Sequence, residues 1–197
     1  MAALLLGLVA SGAGAATGGE ERLKAFLASV QALEAGFSQQ VVDSRGVVLE
    51  DSSGTVVMQR PGRFRWNYTS PFERVIVADG ERIWLYEADL AQVTIRRLSA
   101  SIGDTPAALL TGRESVLDRF DVARSWPEDG LAYVRLVPRS ADADFAAVSL
   151  AFDGAVLRRL VLDDRLGQQT RIDLTDVRVN PKGPPDQFRF CLLYTSP

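Results

Sequence analysis

Phe64, Trp66, Tyr68, Phe72, Trp84 and Tyr86 crowd into one short stretch of the chain. Phe64, Trp66 and Tyr68 alternate with Arg63, Arg65 and Asn67, which makes one aromatic and one solvated face on a strand. Such a face either closes a solid core or lines an apolar cavity, and both arrangements bury the same side chains. The other groups that could do chemistry are carboxylates close in sequence: Glu87 with Asp89, Asp142 with Asp144, and Asp163 with Asp164. A hydrolase needs two carboxylates facing each other across a cleft, usually from separate elements. These pairs fall in turn-like sequence, where aspartate is favoured for backbone reasons. Asp142 and Asp144 also have too few oxygen ligands nearby for a calcium loop. With no histidine, Ser/His and Cys/His triads, imidazole acid–base chemistry and most zinc sites are excluded. The single cysteine, Cys191, allows neither an intramolecular disulfide nor a thiolate cluster. No catalytic residue, metal site or cofactor is expected.

The composition is ordinary for a soluble globular protein. The chain has 197 residues, enough for one domain with a substantial core, and 47% of them are hydrophobic. Its formal net charge of −3 argues against a nucleic-acid binder, which usually carries a basic excess. Residues 1–16 read as an export signal: Ala2 to Ala10 is a short apolar run, and Ala13 and Ala15 form a small-x-small cleavage pattern. The run is too short to span a membrane, so a mature protein outside the cytoplasm is expected.

Several elements must position the aromatics. From Glu20 to Ala35, the residues Leu23, Phe26, Leu27, Val30 and Leu33 recur at helical spacing, with Gly36 as a plausible stop. The period then changes to two. Strands are predicted around Phe64–Tyr68 and over 74–78, 82–87 and 92–98, with a hairpin turn at Asp79-Gly80. A second series is predicted over 131–137, 145–152, 156–162 and 169–179, with Asp153-Gly154 as another tight turn. In its last member, Ile172 and Leu174 share one face and Val177 and Val179 the other, which predicts a bulge. Between the series, Thr105-Pro106 resembles a helix cap leading into Ala107 to Leu110. Hairpins in this number suggest one curved sheet or open barrel with helices on one side.

The run Arg60-Pro61-Gly62-Arg63-Phe64-Arg65-Trp66, followed by Ser70-Pro71-Phe72, Val77-Ala78-Asp79-Gly80 and Ile83-Trp84-Leu85-Tyr86, resembles the outer-membrane lipoprotein carrier family (LolA). Phe37-Ser38-Gln39, Gln92-Val93-Thr94 and Thr105-Pro106 fall in the family's order, and the similarity runs from about Leu23 to Phe190. The resemblance implies a mainly β, half-open antiparallel barrel with a helical lid over a hydrophobic cavity. It implies a periplasmic monomer that takes acylated lipoproteins from an inner-membrane ABC-type releasing complex and passes them to an outer-membrane receptor. It also implies roles for particular residues. Arg60 would hold the lid by hydrogen bonds to lid backbone, a task suited to its planar, permanently charged fork. Phe64, Trp66, Tyr68, Phe72, Trp84, Leu27 and Val30 would form the cavity and its mouth. Thr105, Pro106, Leu109 and Leu110 would form the lid helix.

One domain is expected over 17–190. Beyond Phe190, the segment Cys191-Leu-Leu-Tyr-Thr-Ser-Pro197 departs from the family pattern, and 191–197 is expected to be an aberrant, foreign tail. Two other readings stay open on the residues. One is a related open barrel that senses lipoproteins or carries other lipids, and the other is a carboxylate-based hydrolase.

Overall fold

Glu20 and Glu21 in a first turn favour a helix start, because carboxylates complement the partial positive charge of a helix N-terminus. In the computed structural model this helix, α1, spans Gly18–Ser29 and buries Leu23 and Phe26. The structure describes residues 18–98, 110–111, 116–141, 143, 145–184 and 186–191. The expected leader at 1–16, Asp142, Asp144, Thr105, Pro106 and Leu109 therefore lie outside the described residues.

α1 is shorter than its apolar spacing suggests. Leu33 and Ala35 belong instead to strand β1, Ala32–Val42, where Leu33, Ala35, Phe37 and Gln39 alternate as buried positions. Leu33 fits both the helical spacing from Val30 and the period of two with Ala35 and Phe37, and pairing on both sides of β1 decides in favour of the strand. Gly36 is thus no helix stop; it lies inside β1.

The chain continues through β2 (Val48–Gln59), β3 (Arg63–Ser70), β4 (Arg74–Asp79), β5 (Arg82–Glu87) and β6 (Gln92–Arg97). A short helix α2 (Val116–Arg119) leads into β7 (Phe120–Glu128), β8 (Leu131–Pro138), β9 (Phe145–Asp153), β10 (Val156–Asp164) and β11 (Gln169–Val179). β7 is a strand the sequence pattern does not reveal. A register shift between Val122 and Arg124 breaks its alternation, and it carries Pro127, which an edge strand tolerates. All eleven strands form one curved antiparallel sheet in the order β6-β5-β4-β3-β2-β1-β11-β10-β9-β8-β7. Among the described residues the two end strands, β6 and β7, do not pair with each other, so the barrel stays half open. The bulge expected in the last strand is present: Glu34 faces Arg178 and Gly36 faces Thr175, with Asp176 at φ 50° between them.

Alternation and register assign the two faces. Phe37, Val56, Met58, Phe64, Trp66, Val134, Leu150, Leu160 and Ile172 join one buried cluster on the inner face. α1 lies against β7, β8 and β9 on that side, with Phe26 and Phe152 at 5.7 Å between ring centroids. Strand direction sends the turns to two rims. The lower rim holds the α1–β1 junction and residues 60–62, 80–81 and 154–155. The upper rim holds residues 43–47, 71–73, 88–91 and 165–168.

Candidate functional site

At the lower rim, the chain between β2 and β3 reaches both α1 and residues 110–111. Arg60 donates from Nη1 to the Leu27 carbonyl at 2.6 Å and from Nε to the Leu110 carbonyl at 3.0 Å. Its guanidinium also lies 5.6 Å from the centre of the Phe26 ring. Two residues on, the Gly62 N–H donates to the Thr111 carbonyl at 2.6 Å, with Gly62 at φ 68° where a side chain would be strained. Arg60 thus joins the C-terminal end of α1 to residues 110–111. Helix-end carbonyls that lack intrahelical partners suit a cation in this way. Burial pulls the guanidinium below its ordinary pKa, yet arginine remains charged at neutral pH.

Above this latch the inner face is apolar. Leu33, Val56, Met58, Trp66, Leu110, Leu157, Leu160 and Leu174 surround a free space of about 10 Å³, room for roughly one water. Among these described residues the inner face is tightly packed. Phe64 is fully buried and Trp66 nearly so, both on this wall.

Towards the upper rim the same face turns polar. A cleft of about 430 Å³ is lined by Glu50, Ser52, Tyr68, Phe72, Arg74, Glu87 and Asp89, among others. Arg74 sits 4.3 Å over the Tyr68 ring and pairs with Glu50 at 3.1 Å, while the Tyr68 hydroxyl donates to Gln39 Oε1 at 3.1 Å. Burial pushes the Tyr68 phenol up to about 12; Arg74 and the Gln39 hydrogen bond oppose this, and Glu50 adds to it. The neutral phenol is the form the fold favours. Its contribution is complete below about pH 10 and is lost as pH rises towards 12. An ultraviolet titration of the folded chain should show a late-ionising step from Tyr68, and Tyr68→Phe should remove it. If the late step survived in Tyr68→Phe, the assignment would fail.

The structure brings some of the expected residues together and separates others. Arg60, Phe64, Trp66, Tyr68, Val30 and Leu110 meet around the inner face, and Leu27 contributes through its carbonyl. Trp84 does not. Register carries it opposite Val77, which faces Arg65, so it lies on the outer face, where Phe190 stacks on it at 6.3 Å. Phe72 is 65% exposed in the β3–β4 turn and marks the cleft's rim rather than the cavity wall. Asp163 and Asp164 are structural: Asp163 bonds Arg135 and Gln169, and Asp164 takes the Leu166 and Gln168 N–H groups in a turn.

Asn180 is a residue the sequence reading missed. Its side chain accepts from the Gln31 and Ala32 N–H groups at 2.7 and 3.0 Å and donates to the Ser29 carbonyl at 3.0 Å. It clips the end of α1 beside the latch. Its one signal was an asparagine just before proline at a strand end, a residue type that tolerates its φ of 52° and bonds nearby backbone.

An open antiparallel half-barrel with an apolar inner face, Arg60 bonded to the Leu27 and Leu110 carbonyls, and a polar cleft at one rim defines a class of protein. The chain belongs to the outer-membrane lipoprotein carrier protein (LolA) family, whose pattern matches residues 28–191. An outer-membrane lipoprotein carrier protein of Bordetella avium is 38% identical over 190 residues, 96% of this chain and 91% of that protein. Another, from Methylobacillus flagellatus, is 40% identical over 172 residues, 87% and 84% of the respective chains. Among solved structures, a LolA superfamily protein from Nitrosomonas europaea matches with a TM-score of 0.52 at 11% identity. It covers 87% of this chain and 97% of that one, a likeness of fold.

Proposed function

We propose that this chain is a periplasmic carrier that shelters the acyl chains of lipoproteins between two membranes. The carrying observation is Arg60, which ties the end of α1 to Leu110 beside an apolar, closely packed inner face. Acyl chains contribute about 0.8 kcal/mol for each buried CH₂, so complete burial would make release very slow. Lipid occupancy that opens the latch sets loading against closure, and closure then helps expel the cargo. The donor in this scheme is an ATP-using inner-membrane releasing complex, and the acceptor is an outer-membrane receptor. The carrier itself works as a monomer. Among the described residues no helix is long and apolar enough to cross a membrane, which is compatible with a shuttle.

Native mass spectrometry of the protein purified from the periplasm tests this reading. Bound acylated lipoprotein is expected; free phospholipid alone would favour a carrier of other lipids, and turnover on glycans a hydrolase. A second test concerns Phe64, which has no exposed surface. Phe64→Glu sets a carboxylate in the acyl wall, where an unpaired charge is strongly disfavoured. Loading should fall more than about tenfold, with stability also reduced, whereas Phe64→Leu should keep most of both. Normal loading of Phe64→Glu would remove this residue from the cargo wall.

A further inference from the structure

Between the apolar interior and the open cleft lies a short belt of buried polar groups. Gln39, Ser52 and Tyr68 are 8%, 2% and 8% exposed, and Gln39 and Ser52 are direct cross-strand partners on the inner face. The Tyr68–Gln39 bond uses the Gln39 carbonyl oxygen, so the amide N–H₂ of Gln39 remains a donor. Ser52 Oγ and Trp66 Nε1 are buried without hydrogen-bond partners among the described residues. Trp66 continues the belt downward, with its ring 6.4 Å from Tyr68 and one edge on the apolar space. Buried polar groups are nearly always satisfied, so two orphaned donors on one inner face, Ser52 at the polar end and Trp66 below Tyr68, point to a ligand.

The chemistry of the belt selects that ligand. It offers O–H and N–H donors and no free cation, since Arg74 is already paired with Glu50. The cleft above adds Glu73, Glu87 and Asp89, which repel an anionic headgroup. Neutral carbonyl acceptors fit; a phosphodiester does not. We infer that Ser52, Trp66 and Gln39 form a carbonyl-binding belt for the ester groups of an acylglyceryl anchor. Ester carbonyls sit at the junction of hydrocarbon and polar head, the level at which the belt lies. The belt fixes how deep the chains enter and favours a neutral acylglyceryl peptide over an anionic phospholipid. This inference rests on the carrier reading and specifies its ligand.

The test compares the full chain's binding to three probes: a triacylated lipopeptide with ester-linked chains, its ether-linked analogue of equal chain length, and phosphatidylglycerol. The ester probe should bind about tenfold more tightly than the ether, since unmet donors in a buried site are costly. Phosphatidylglycerol should bind more weakly still. Ser52→Ala, a small change with little effect on packing, should weaken the ester probe three- to tenfold and leave the ether unchanged. Trp66→Phe, checked for its unfolding midpoint, should narrow the same difference. Equal binding of ester and ether by the native chain would leave the carrier reading standing and overturn the belt. So would a Ser52→Ala loss shared equally by both probes. Binding of neither lipopeptide would sink the carrier reading and the belt with it.

Discussion

Replacing Arg60 with leucine should give a chain that loads acylated lipoprotein but fails to deliver it. The side chain makes two charged hydrogen bonds, to the carbonyls of Leu27 and Leu110, and bonds of this kind are worth about 1.5–3 kcal/mol each. Part of that is offset because the guanidinium is drawn out of water, as its lowered pKa reflects. A net loss of even 1.4 kcal/mol moves the balance between closed and open states about tenfold. Cargo occupies the open state, so removing a preference for closure makes the cargo harder to dislodge. The Gly62 N–H bond to Thr111 remains, and the segment at 110–111 is loosened rather than freed. Arg60→Lys should fall between, because a point-charge ammonium lacks the fork that spans both carbonyls. The measurement is transfer from the purified, loaded carrier to receptor-bearing membranes. Transfer by Arg60→Leu at the native rate would end the latch assignment.

How far this site could be read from sequence depended on whether a signal was local. Phe64, Trp66 and Tyr68 alternate strictly, so β3 and its aromatic face were legible, as was the bulge where Leu174 and Val177 change sides. Turns marked by Asp79-Gly80 and Asp153-Gly154 were equally plain, because a positive φ at glycine is a local requirement. Trp84 shows the limit. Alternation fixes which residues of one strand share a face, but it says nothing about how that face matches the next strand. Parity passes from Trp66 to Trp84 only through the register of β4, which puts Trp84 opposite Val77 and outside. Gln39 and Asn180 fail for a related reason: each acts on partners far away in sequence, Tyr68 for one and Ser29 for the other. The α1–β1 boundary was hidden because Leu33 fits the helical spacing from Val30 and the strand alternation with Ala35 at once, and the pairing that decides between them is also long-range.

The position of α1 gives a second route to the latch. A Cβ added at Gly19 would lie 2.1 Å from the Tyr133 carbonyl oxygen and 2.6 Å from its carbon, both backbone atoms of β8 that cannot rotate away. A methyl group there must lift the helix off the sheet. Leu23 and Phe26 are buried on the same helix, so Gly19→Ala should cost about 1–3 kcal/mol or more, as overpacked cores do. At the preceding residue, a Cβ on Gly18 would meet nothing within 4 Å, and Gly18→Ala should change stability by less than about 0.5 kcal/mol. Neighbouring glycines therefore make a matched pair in which composition and helix propensity are held constant. Lifting α1 also draws the Leu27 carbonyl away from Arg60, since both lie on one short rigid helix and its latch. Gly19→Ala should accordingly deliver cargo as poorly as Arg60→Leu, while Gly18→Ala should deliver it normally. Denaturant midpoints and the transfer assay measured on the same three variants decide the matter. An unchanged midpoint for Gly19→Ala would refute the close approach of α1 to β8. A lowered midpoint with native transfer would show that closure depends on Arg60 and Leu110 without the helix.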